Sequence, residues 1–107
     1  MSDVINATDA NFESEVLNAQ GPVVVDFSAT WCGPCKKLEP IVTELAADFG
    51  DKVKVVKVDV DQAPQAAARF SVLSVPTVLV MKDGAVKDQV VGLVSKQALT
   101  DRVNQVL

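Results

Sequence analysis

A chain of 107 residues, 49% hydrophobic but only 5% aromatic, has room for one small domain whose core is mostly Val, Leu, Ala and Ile. Its formal net charge of −4 and pI near 4.6 argue against nucleic acid or an anionic membrane as partner. With no histidine, it offers no imidazole base, metal ligand or pH switch.

The first lysine is Lys36, so the N-terminus lacks the basic start of a secretory signal. No apolar run approaches the ~20 residues of a membrane span. The expectation is a soluble, cytoplasmic protein; an organellar form already trimmed of its leader would read the same way.

Val4-Ile5 predicts a short edge strand. Thr8 or Asp9 is the expected cap of a helix with Phe12, Val16 and Leu17 inward, and Gly21-Pro22 turns into the next element. Val23 to Ser28 is almost continuously apolar, as a strand covered on both faces would be, which points to a parallel or mixed sheet. From about Pro34 to Phe49 the set Cys35, Leu38, Ile41, Val42, Leu45, Ala46 and Phe49 recurs at helical spacing, with Gly50 as the stop. Pro40 in its interior predicts a kink.

Val53 to Val60 predicts a second Val-rich strand, interrupted by Lys54 and Lys57. A short helix over roughly Gln62 to Phe70 follows, with Asp61 as expected cap and Ala66, Ala67 and Phe70 inward. Thr77–Met81 and Ala85–Val91 predict two strands joined by Asp83-Gly84, a strong two-residue hairpin signal. Ser95 caps a last helix with Leu99, Val103, Val106 and Leu107 on one face. The order β-α-β-α-β-α-β-β-α implies an α/β mixed sheet with helices on both faces.

The chemistry concentrates at Trp31-Cys32-Gly33-Pro34-Cys35, where the central strand gives way to the helix. Free N–H groups and the dipole of a helix N-terminus stabilise a thiolate. A purely structural disulfide closing so short a loop would contribute only ~2 kcal/mol, against ~4.7 for a 100-residue loop. Zinc wants four ligands, and two cysteines without histidine leave that site half built. Redox catalysis is the favoured reading. Cys32, expected to be exposed at the loop tip, is the candidate nucleophile, and Cys35, one turn in and more shielded, the candidate resolving thiol. The Gly-Pro insert adds no charge that would stabilise the thiolate further, which favours a reductant over an oxidant.

Asp26 is a carboxylate inside a Val/Phe strand. It is either solvated on an edge strand or buried with a raised pKa, which would suit a proton carrier. Lys57, between Val56 and Val58, lies on a second strand and could face it across the sheet. Pro76 could simply start an edge strand.

Trp31-Cys32-Gly33-Pro34-Cys35-Lys36 resembles the active-site signature of the thioredoxin family. Val25-Asp26-Phe27, Lys57, Val58-Asp59-Val60-Asp61, Val75-Pro76-Thr77, Lys82-Asp83-Gly84 and Val91-Gly92 extend the resemblance over nearly the whole chain. It implies one thioredoxin domain over residues 1–107, with a mixed five-stranded sheet flanked by four helices. It also implies a general protein-disulfide reductase cycling between dithiol and disulfide at Cys32 and Cys35. Trp31, Gly33 and Pro34 would complete the active-site loop. Asp26 would deprotonate Cys35, with Lys57 as its partner.

By the same resemblance Pro76 is cis and lies opposite the cysteines. The backbone beside it pairs with an extended substrate segment, a form of strand addition. Val60, Ser74, Val75, Pro76, Val91, Gly92 and Leu93, with Trp31, would form the docking surface. No bound cofactor or metal is implied. Electrons would come from NADPH through a partner thioredoxin reductase, with ferredoxin-dependent reduction as the plastid variant. Oxidised client proteins would be the substrates, and the protein a monomer.

Two departures stand out. Ser28 replaces the aromatic usual in bacterial-type members, and Leu73-Ser74 replaces an Arg-Gly or similar pair found in some relatives, which could alter partner preference. The rival readings are a disulfide oxidant or isomerase, and a binding module whose thiols are incidental.

Overall fold

The computed structural model describes residues 4–107. Its strands are β1 (Ile5–Ala7), β2 (Pro22–Ser28), β3 (Lys54–Asp59), β4 (Thr77–Lys82) and β5 (Ala85–Val91), and its helices α1 (Gly33–Phe49), α2 (Pro64–Arg69) and α3 (Lys96–Asn104). A π-helical turn, Glu13–Leu17, is the fourth helical segment, and a 3-10 turn, Gly50–Lys52, follows α1. One five-stranded sheet runs in the order β1-β3-β2-β4-β5. β1 and β2 both pair parallel to β3, whereas β4 pairs antiparallel with β2 and β5, so the sheet is mixed as the element order implied.

Alternation along the central strands divides the core between two faces. Val23, Val25 and Phe27 of β2 join Val56, Val58, Leu79 and Met81 on one face, covered by Phe12, Val16, Ala66 and Ala67. Val24 joins Val55, Val78 and Val80 on the other, against Leu38, Val42 and Leu45 of α1 and Leu99 and Val103 of α3. Each fully buried Val, Leu or Phe is worth roughly 1.5–3 kcal/mol. Asp26 and Lys57 fall by the same alternation on the α1 side. That parity decides what surrounds them.

The Asp83-Gly84 hairpin forms as predicted, with positive φ at both residues (52° and 83°). Only glycine suits position 84, where a Cβ would lie 3.0 Å from the Leu17 carbonyl oxygen. Ser95 caps α3 by accepting the Ala98 N–H at 3.1 Å. α1 continues through Pro40, which lies on its exposed side, where the carbonyl left without an intrahelical partner can meet water.

Three local expectations need correction. The first helical segment is a π-helical turn with no side-chain cap, because the Thr8 hydroxyl accepts the Ala10 N–H and Asp9 turns to another element. The Asp9 carboxylate instead accepts the N–H groups of Gln65 and Ala66, at 3.1 and 3.0 Å, and so caps α2. Asp61, expected in that role, bonds to Trp31. At the C-terminus Val106 is half-buried but Leu107 is exposed, because α3 ends at Asn104.

Candidate active site

β2 carries the chain to Ser28, and Ala29-Thr30-Trp31 then lifts it off the sheet into α1. Cys32 is the N-cap of α1 in an extended conformation, and its Sγ accepts the Cys35 N–H at 3.2 Å. Cys32 and Cys35 form a disulfide, their Cα atoms 5.3 Å apart. The expected contrast in exposure is not found: Cys32 is 5% exposed and Cys35 4%. The disulfide folds Cys32 back onto the helix start, under Ala29, Val60 and Val75.

The Val75–Pro76 bond is cis, and the Val75 carbonyl oxygen lies 3.7 Å from Cys32 Sγ. Lacking a proton in the disulfide, that sulfur only touches the carbonyl; as a thiol it would donate to it. Thr77 donates its hydroxyl to the Ser74 carbonyl at 2.7 Å, and the Gly92 N–H donates to the Pro76 carbonyl at 2.8 Å. The first bond closes the 74–77 turn, and the second ties it to segment 91–93.

Around the sulfurs, Trp31 (69% exposed), Val91 (58%) and Leu93 (46%) stand out to solvent. Ser74 is exposed, Val60, Val75 and Gly92 are half-buried, and Pro76 is buried. The Trp31 indole N–H donates to Asp61 Oδ2 at 3.0 Å, which orients the ring. Leu73, 95% exposed, stands two residues before Val75. Sequence reasoning marked it as a departure from the family pattern but did not count it among the site residues.

On the central strand, Asp26 is 1% exposed, not solvated on an edge. Burial pushes its pKa up from 3.8 to about 6, against the lowering influence of Lys57 and with the help of Glu39. Lys57 is its register partner on β3, so the two are side by side on neighbouring strands. The expected pairing is not made: the Lys57 ammonium bonds to Glu39 Oε2 at 3.0 Å. Glu39 carries no sequence signal beyond its place one turn after Cys35, and it was missed. A groove of about 490 Å³ reaches Cys35 past Ser28, Glu39 and Lys57. A cleft of about 230 Å³ reaches Asp26 past Asn6, Glu39 and Lys57.

Among the described residues no group of three or more His, Cys, Asp or Glu side chains is placed to hold a metal ion. No helix among them is long and apolar enough to cross a membrane.

A Cys-x-x-Cys disulfide at a helix N-terminus, packed beside a cis proline at the end of a mixed sheet, defines a class of thiol–disulfide exchange proteins. The thioredoxin family model matches residues 3–105. The chain is similar to the thioredoxin of Rickettsia typhi, 45% identical over 102 residues that cover 95% of this chain and 97% of the relative. The Bacillus subtilis thioredoxin is 45% identical over 102 residues, 95% of this chain and 96% of its own length. Thioredoxin 1 of Synechococcus elongatus is 45% identical over 105 residues, 98% of both chains. The chain belongs to the thioredoxin family. It is an oxidoreductase acting on protein disulfides, with Cys32 and Cys35 as its redox-active pair.

Proposed function

We propose that residues 1–107 form one thioredoxin domain that serves as a general reductant of client-protein disulfides in the cytoplasm, as a monomer. The Cys32–Cys35 disulfide at the start of α1, under the Val75–Pro76 loop, carries this reading. In the dithiol form the Cys32 thiolate attacks one sulfur of a client disulfide. A mixed disulfide forms, and the displaced client sulfur leaves as a thiolate that takes up a proton. Asp26, ionised, accepts the proton of Cys35. The Cys35 thiolate then attacks Cys32 Sγ, re-forming the Cys32–Cys35 bond and releasing the second client sulfur. Two electrons pass from the cysteine pair to the client.

A partner thioredoxin reductase drawing on NADPH would return those electrons. Trp31, Val60, Ser74, Val75, Pro76, Val91, Gly92 and Leu93 would seat an extended client segment, its backbone pairing beside Pro76. Their convergence around the sulfurs, from four separate stretches of chain, supports this role. Gly33 and Pro34 would keep the loop tight.

Reduction of insulin disulfides with dithiothreitol tests the mechanism. Wild type should accelerate it, both Cys32→Ser and Cys35→Ser should abolish the acceleration, and Cys35→Ser should accumulate a mixed disulfide on Cys32. Trapping in Cys32→Ser and not in Cys35→Ser would reverse the two roles, and no wild-type acceleration would remove general reduction altogether.

A further inference from the structure

Lys57 is the register neighbour of Asp26, yet its ammonium goes to Glu39. The Glu39 side chain is 55% exposed and that of Lys57 29%, so their ion pair sits at the mouth of the cleft. On its floor, Asp26 Oδ1 has no hydrogen-bond partner among the described residues. Both members of the pair line the cleft that reaches Asp26 and the groove that reaches Cys35. The ion pair therefore borders both the cleft to the buried acid and the groove to the resolving sulfur.

We propose that Glu39 is a positioning residue, which holds the Lys57 ammonium at the cleft mouth and so keeps it from pairing directly with the buried Asp26 carboxyl. The proposal rests on the reading of Asp26 as the proton carrier for Cys35.

Two carboxylates compete for one flexible ammonium. Pairing at the mouth keeps that ammonium hydrated, whereas pairing with Asp26 would require desolvating it. Among the described residues, no charged side chain other than Glu39 and Lys57 lines the cleft with Asp26. β4 faces Asp26 with Val78, α3 presents Leu99 and Val103, and the β1 side offers Val4 and Asn6. On α1 the neighbouring lining residues are Val42 and Thr43; Lys36 of α1 and Asp59 of β3 line the groove toward Cys35 but not the cleft that reaches Asp26, and Cys35 is held in the disulfide. A carboxyl left unpaired by cations keeps its proton to a higher pH, in the direction that burial already sets for Asp26.

The test is a ¹³C NMR titration of the Asp26 carboxyl in the oxidised protein, for wild type, Glu39→Gln, Lys57→Met and the double variant. Glu39→Gln should lower the Asp26 midpoint by about one pH unit, because Lys57 is released to approach it. In the Lys57→Met background the same change should move the midpoint less than half as far, since only direct repulsion is left to remove. An unmoved midpoint, or equal displacement with and without Lys57, overturns the proposal. The pH profile of insulin reduction by Glu39→Gln then separates the two readings. An acid limb that moves down with the carboxyl supports both. A carboxyl that moves under an unchanged profile supports the positioning of Lys57 and overturns Asp26 as proton carrier. Glu39 is exposed enough that the variant should fold normally.

Discussion

Asp26 lies on β2 between Val25 and Phe27, where water cannot solvate its charge. Its pKa of about 6 in the folded protein exceeds the 3.8 expected when unfolded, a gap equivalent to about 3 kcal/mol at 1.36 kcal/mol per unit. The folded state therefore binds the proton more tightly than the unfolded one. The resulting penalty is fully present above pH 6, shrinks as the pH falls from about 6 to 3.8, and is gone below that window. Asp26→Asn should stabilise the fold by up to about 3 kcal/mol at pH 7 and by progressively less on acidification, as read by urea unfolding. It should also lengthen the life of the mixed disulfide. A gain independent of pH would mean that packing, not ionisation, sets the cost.

At the scale of elements, α1 and α2 begin by different means. α1 starts on Cys32, whose sulfur accepts the Cys35 N–H, so the proposed nucleophile and the helix start are one feature. α2 is too short to stabilise itself and has no cap of its own at Ala63. It depends on Asp9, 56 and 57 residues away from the N–H groups it accepts. Asp9→Ala should destabilise the protein by about 1 kcal/mol. Hydrogen exchange at the Gln65 and Ala66 amides should quicken, while the β2 amides exchange as in wild type. Unchanged protection at those two amides would show that the carboxylate does not hold the helix.

For the molecule as a whole, the sheet order places β2 at the centre, with β3 and β4 on either side. The chain leaves β2 and β3 and enters β4 at one end of the sheet, so Trp31, Val60 and Val75 gather there, and the chain leaving β5 adds Val91 to Leu93. The surface they form should matter to protein clients and hardly to small ones. Val91→Glu should raise KM for insulin several-fold and leave the reduction of a small aromatic disulfide within about twofold. Equal loss on both substrates would assign Val91 to the sulfur chemistry instead of docking.

Much of this was legible in the chain itself, because it follows from neighbours. The apolar run of β2, the helical spacing that Gly50 ends, the Asp83-Gly84 turn and the Ser95 cap each depend on torsions and faces within a short window. The spacing of Cys32 and Cys35 at a strand-to-helix junction likewise marked the redox pair. Only the tertiary structure decided which partner each polar group takes. Asp9 reaches α2 and not its own turn, Asp61 serves Trp31 and not α2, and Lys57 bonds to Glu39 and not to its strand neighbour Asp26. Burial of Cys32 also depends on Val60 and Val75, which arrive from the distant loops after β3 and before β4. Each of these outcomes is a competition among groups far apart in sequence, settled by reach and by access to water once the sheet has brought them together.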